Sequence, residues 1–128
     1  SSPTKTDIHA LEWLKQNTDN NTIIAASLKD GYLINAIAER KNIIDENFLL
    51  APNTAERYND INAIFKYPQK TEAISTLNKY NIKYILLTET TKSEFDIEDL
   101  HYLDRKCFKT VYDNQTKIYK SFCKVEEI

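Results

Sequence analysis

Thr22-Ile23-Ile24-Ala25-Ala26-Ser27-Leu28-Lys29-Asp30-Gly31-Tyr32 is the stretch that decides the fold. Ile23 to Ala26 is apolar at every position. A half-buried strand would alternate, so this run reads as a short strand covered on both faces. A loop follows, and Asp30 can cap a helix with apolar positions Leu33, Ile34, Ile37 and Ala38. Arg40 and Lys41 fall in the last turn, where cations suit the helix dipole, and Asn42 can take the left-handed end position. Strand, loop, then helix is the opening of a parallel α/β unit.

The neighbouring segments extend that pattern. Thr6 is positioned to cap a helix running to about Gln16, with Ile8, Leu11 and Leu14 as its stripe. Residues 17–21 read as a turn, and Asn42 to Asp45 as a second short strand. Asn53 and Glu56 have capping-box spacing ahead of Tyr58, Ile61 and Phe65. Pro68 ends that helix by Tyr67. A further helix starts near Thr71 and uses Ala73, Ile74, Leu77 and Tyr80. Lys83 to Thr88 is the clearest strand in the chain. Asp96, three residues before Asp99, predicts a helix carrying Ile97, Leu100 and Leu103. Alternating segments at about 107–113 and 117–123 predict a hairpin around Asn114-Gln115. The expected fold is α/β, a three-layer α/β/α sandwich. Its mixed sheet would combine parallel strands with a C-terminal antiparallel hairpin. Residues 1–128 read as a single soluble domain, with 1–5 as a tag or linker.

Composition narrows the function. Lys and Arg number 17 and Asp and Glu 19, a formal net charge of −2. Nucleic-acid binders usually carry a basic excess, so no nucleic-acid partner is expected. One glycine in 128 residues excludes the Gly-rich phosphate cradles, which need several residues without Cβ. His9 and His101 are far apart and lack nearby carboxylates at metal-ligand spacing, and no Cys-x-x-Cys exists. No metal or cofactor is therefore expected. Lone Trp13 reads most simply as core. No nucleophile sits in a strand-Gly-x-Ser-x-Gly-helix context.

The two cysteines fit the hairpin. Phe108 and Tyr112 on one strand, and Ile118 and Phe122 on the other, hold the apolar face. A one-residue slip would turn one set outward, so paired positions must sum to an even number. A sum of 230 pairs Phe108 with Phe122 and Tyr112 with Ile118, and sets Cys107 opposite Cys123. Directly opposed Cβ atoms are close enough for a bridge. A Cys107–Cys123 disulfide is the expectation, against two reduced thiols in a cytosolic protein.

Several pieces in order carry a family resemblance. They are Ala10-Leu11-Glu12-Trp13-Leu14-Lys15, Ile23-Ile24-Ala25-Ala26, Asp30-Gly31-Tyr32, Ala38-Glu39-Arg40-Lys41 and Ile44-Asp45. Leu77 to Leu86 and Thr110 to Lys120 continue the series. Together the chain resembles the soluble extracytoplasmic domain that follows the transmembrane helices of archaeal and bacterial oligosaccharyltransferase catalytic subunits. More broadly it resembles the polytopic lipid-sugar glycosyltransferases. The resemblance implies a non-catalytic domain attached to a transmembrane part of a parent protein, on the extracytoplasmic face. Such a domain would cover or shape the site of a glycan or peptide acceptor. The family's catalytic acids and metal ligands lie in loops before this domain, which implies that the isolated domain is inactive. In the oligosaccharyltransferases a Trp-Trp-Asp-Tyr-Gly motif reads the acceptor's hydroxyl residue. Aligned on Gly31, this chain has Ser27-Leu28-Lys29-Asp30-Gly31, and only the glycine matches. Lys29 stands in place of the motif's Asp and cannot accept a hydroxyl hydrogen bond. Sequon recognition is therefore not carried over.

The loop after the first strand is still the candidate site, because open α/β sheets bind ligands beyond strand carboxyl ends. Lys29 and Asp30 offer opposite charges, Gly31 a close backbone approach, Tyr32 a stacking face, and Arg40 an anion contact. The plainer reading makes Asp30 a cap, Gly31 a turn residue, Tyr32 core and Arg40 a helix-end cation. Two other functions compete with the membrane-protein domain. One is a free-standing cytosolic α/β ligand-binding or regulatory module. The other is a small α/β hydrolase or transferase, which would need a deep polar pocket holding Lys29, Asp30 and Arg40.

Overall fold

β1 (Ile23–Ala25) and β3 (Tyr84–Leu87) lie side by side in parallel at the centre of a five-stranded sheet in this computed structural model. The structure describes residues 2–44 and 53–128. β2 (Lys41–Asn42) adds in parallel to β1, while β5 (Thr116–Ser121) pairs antiparallel with β3 and β4 (Phe108–Asn114) forms the edge. The order is β2-β1-β3-β5-β4. Helices cover both faces, so the chain folds as the expected three-layer α/β/α sandwich with a mixed sheet.

Strand alternation divides the core in two. Ile24, Ala26, Leu86 and Ile118 point to one face and meet Ala10, Leu11 and Leu14 of α1 (Lys5–Asn17). Ala25, Ile85, Leu87 and Tyr119 point to the other. There they meet α3 (Thr54–Phe65) and α4 (Lys70–Lys79) through Ile61, Ile64, Phe65, Ala73, Ile74 and Leu77. Each of the Leu, Ile and Phe side chains withdrawn from water contributes about 1.5–3 kcal/mol before entropy is counted.

Several local expectations are corrected. Thr4, not Thr6, caps α1: its hydroxyl accepts from Asp7 N at 3.1 Å, and Asp7 Oδ2 accepts from Thr4 N at 3.0 Å. Thr4 and Lys5 thus belong to the helical unit. The helix after Asp30 is a short α2 (Gly31–Leu33) that widens into a π-helical turn, Ile34–Ala38. Glu39, with φ 54°, takes the left-handed end position assigned to Asn42. That earlier stop places Lys41 and Asn42 in β2, and Asp45 lies outside the described residues. Asn53 starts α3 from a left-handed conformation without a side-chain cap, and Glu56 instead pairs with Lys79 at 2.6 Å. The helix expected from Asp96 is displaced upstream to α5 (Glu89–Phe95), where Thr88 accepts from Thr91 N at 3.1 Å. Asp96 ends that helix with φ 53°.

The hairpin carries a bulge. Tyr112 pairs with Ile118 as expected, but Phe108 pairs with Ser121 instead of Phe122. The register shifts by one between Thr110 and Tyr112, which leaves Val111 as the extra residue. Phe108 turns into the core and Phe122 is half exposed. A disulfide joins Cys107 to Cys123, with Cα atoms 4.9 Å apart. No helix among the described residues is long and apolar enough to cross a membrane.

Candidate functional site

The carboxyl ends of β1 and β3 open into the same cleft because the two strands run parallel. Loop 27–30 leaves β1, and Thr88 with α5 leaves β3. The N-terminal turn of α1 supplies the third wall. A cavity of about 330 Å³ is bounded there by Pro3, Asp7, Lys29, Asp30, Tyr32 and Thr90. A shallower recess of about 610 Å³ shares Lys29 and Thr90 and adds Glu89, Ser93 and Glu94.

Asn42 fixes the loop. Its Oδ1 accepts from Ala26 N at 3.0 Å and Ile43 N at 2.8 Å, while its Nδ2 donates to Ala26 O at 3.0 Å and Ser27 O at 3.3 Å. The buried amide continues the ladder where the two-residue strand β2 stops. Gly31 is buried beside it, and an added Cβ would sit 3.4 Å from Ile44 O, an ordinary contact. Gly31 serves as the first residue of α2, not as a turn glycine or a bare backbone platform.

Asp30 makes no cap bond. Its side chain is buried, and Oδ2 accepts from the Thr88 hydroxyl at 2.5 Å and the Thr91 hydroxyl at 2.9 Å. The Ser27 hydroxyl oxygen stands 3.1 Å from that of Thr91. These four groups tie the β1 loop to the start of α5. Burial holds the Asp30 carboxyl above its ordinary value of 3.8, against the opposing pull of the two threonine hydroxyls. Asp7 reinforces the elevation by charge repulsion. Burial also raises Glu94, with Asp30 adding to the effect and Lys29 opposing it. The cleft is thus a set of carboxyl acceptors with one facing ammonium, Lys29, which lies 3.9 Å from Glu94 Oε1.

The sign of the Asp30 effect is testable. A carboxyl with a raised folded pKa favours folding most below its unfolded pKa, and that contribution is lost as pH rises through the folded value. Asp30→Asn can keep its carbonyl oxygen on Thr88 and Thr91 while removing the ionisation. The stability of Asp30→Asn relative to the parent is therefore expected to increase as pH is raised from near 4 towards neutrality, read by urea unfolding at each pH. A pH-independent difference would refute the assignment.

The sequence-selected residues separate into two groups. Lys29, Asp30 and Tyr32 share the cleft, and Tyr32 is 55% exposed there, so it is not core. Arg40 is elsewhere. It is only 5% exposed and sits at the opposite end of the sheet, before β2. Its Nε donates to Thr18 Oγ1 at 2.9 Å, and its terminal nitrogens donate to the carbonyls of Glu39, Lys15 and Thr18 at 3.0, 3.0 and 2.7 Å. Arg40 closes the end of α1 and is not a ligand contact of the cleft. Asp7, Thr88, Thr90 and Glu94 were not singled out from sequence. The signal existed in Thr88-Glu89-Thr90-Thr91, a cap-forming cluster directly after the clearest strand.

His9 and His101 are exposed and neither lines the cleft. Among the described residues, no three His, Cys, Asp or Glu side chains gather as a metal site. The cleft can accept hydrogen bonds, present one cation and stack one phenol ring.

No protein-family profile and no curated protein matches the chain. Among solved structures, the chain is similar to the C-terminal globular domain of oligosaccharyltransferase from Archaeoglobus fulgidus. The TM-score is 0.68 at 15% sequence identity, over 95% of this chain and 100% of that one. The similarity is one of fold: the two chains share the same α/β architecture along essentially their whole length.

Proposed function

We propose that this chain is a non-catalytic domain of an oligosaccharyltransferase-like membrane protein. It sits on the extracytoplasmic face, joined to the transmembrane part of its parent. The observation that carries the reading is a whole-length structural likeness to an oligosaccharyltransferase C-terminal domain, in a chain whose ordered segments resemble the same family. In this reading the cleft of Lys29, Asp30 and Tyr32 faces the acceptor, a glycan or a peptide, and helps to shape its site. Lys29 and the raised carboxyls give it a hydrogen-bonding character different from that of the Trp-Trp-Asp-Tyr-Gly motif. The acceptor would differ accordingly.

The native gene tests this directly. The coding sequence upstream of Ser1 is expected to specify several membrane-spanning helices. The native protein is expected to sediment with membranes and to be cut by protease added outside intact cells. A product that starts at this domain and stays in the cytosolic fraction would overturn the proposal. In the full parent, Tyr32→Ala is expected to raise the KM for acceptor; an unchanged KM would remove the cleft from the acceptor site.

A further inference from the structure

The other end of the sheet carries a second recess, of about 550 Å³, with a different chemistry. The turns before β1 and β3 and the end of β5 frame it through Asn21, Tyr80, Asn81, Lys83, Tyr84 and Lys120. The side chains of Asn21, Asn81 and Lys83 have no partner among the described residues. The Lys120 ammonium lies 5.9 Å from the centre of the Tyr84 ring, without a carboxylate partner among the described residues. Tyr80 is held in place by its hydroxyl, which donates to Asp60 Oδ2 at 2.5 Å. Asp19 is the one acid in the lining among the described residues.

Charge is segregated along the strands. Among the described residues, the candidate cleft and its neighbouring recess hold Asp7, Asp30, Glu89 and Glu94 against a single cation, Lys29. The opposite recess holds Lys83 and Lys120, and Lys109 stands directly across from Lys120 in the β4–β5 ladder. A chain of net charge −2 thus presents a locally cationic, amide-lined hollow.

We infer that this recess binds an anionic carbohydrate, a sugar bearing a carboxylate. Asparagine amides offer both donors and acceptors, as vicinal hydroxyls require. The Tyr84 ring, with Lys120 beside it, gives an apolar flank for a pyranose, whereas the Tyr80 ring is covered by Arg57 at 5.6 Å and Lys79 at 5.3 Å and acts as a wall. Lys83 and Lys120 supply charge-assisted hydrogen bonds for the carboxylate. A lipid surface would favour a convex apolar patch, whereas this lining is concave and hydrophilic. The inference stands apart from the acceptor cleft and holds whether or not the chain belongs to a membrane parent.

The lone Trp13 gives the readout, because its indole meets Tyr84 edge-on with centroids 5.9 Å apart. Trigalacturonate titrated into the purified chain is expected to change Trp13 emission saturably, with an affinity that falls as salt is added. Neutral maltotriose is expected to bind about tenfold or more weaker, and Lys83→Glu/Lys120→Glu to lose about tenfold or more in trigalacturonate affinity while melting like the parent. Asn21→Ala is expected to weaken trigalacturonate without changing the salt dependence. Absence of a saturable response, or an undiminished one in the double variant, would overturn the site. Equal binding of inorganic phosphate or of phosphatidylglycerol vesicles would also overturn it, since the recess would then be a general anion surface.

Discussion

Arg40→Met is expected to lower the unfolding free energy by about 3–4 kcal/mol, a drop of about 10 °C in Tm. The guanidinium donates four hydrogen bonds and is almost fully buried. Three acceptors are backbone carbonyls, and two of these, from Lys15 and Thr18, belong to the end of α1. Helix C-termini leave carbonyls unpaired within the helix, so removal of the cation strips partners from these partly buried groups. Methionine keeps the apolar stem, and the loss therefore reports the hydrogen bonds more than packing. Arg40→Lys keeps the charge but not the planar fork, and should lie between the two. Urea unfolding of the three proteins decides it; a change below about 1 kcal/mol for Arg40→Met would return Arg40 to the role of a solvent-facing helix-end cation.

Reduction of the Cys107–Cys123 bridge is expected to cost about 3 kcal/mol, and Cys107→Ser/Cys123→Ser a similar amount. The bridge spans 16 positions and closes the open end of the β4–β5 hairpin. Its main effect in the chain-entropy view is to restrict the unfolded chain. The refolded, reduced protein should therefore keep its far-ultraviolet circular dichroism while losing resistance to urea. Equal unfolding midpoints with and without reductant would show that the hairpin is held by its ladder and core contacts alone. Alkylation mass analysis without reductant provides the companion measurement, and two alkylated cysteines would exclude the bridge under those conditions.

The layers of the fold were legible because they depend on local pattern. Ile23–Ala26 and Tyr84–Leu87 are continuous apolar runs, and both form central strands buried on two faces. The stripes of α1 and α4 likewise announced their buried sides, whereas in α3 Ile61 and Phe65 are buried as expected but Tyr58 is exposed and Ile64 takes its place. The α5 helix was hidden because Glu89–Phe95 carries a single large apolar residue, Phe95. It forms because Thr88 caps it and Thr91 is drawn into the buried network, and neither cause has a periodic signature. The Val111 bulge was equally silent, since an apolar residue in an alternating strand gives no hint that it will be skipped.

The candidate site was half legible for a related reason. Its position beyond β1 followed from topology, and Lys29, Asp30 and Tyr32 meet there. The roles of Asp30 and Arg40 depended on partners far away in sequence. Asp30 binds Thr88 and Thr91, 58 and 61 residues on. Arg40 binds Lys15 and Thr18, 25 and 22 residues back. Both residues looked like helix-end charges because that is the local default, and tertiary hydrogen bonding overrode it.

The bulge in β4 also bears on how these molecules meet one another at high concentration. An outer strand with free backbone groups is a template on which a neighbour's strand can grow, and repeated growth of that kind makes fibres. Here the straight part of the outer strand runs only from Phe108 to Thr110 before the register slips. Lys109, exposed and charged, sits in the middle of it. A docking strand would meet a break after three residues and a cation to desolvate. The same extra residue that turns Phe108 inward thus makes this margin of the sheet a poor seed for polymerisation.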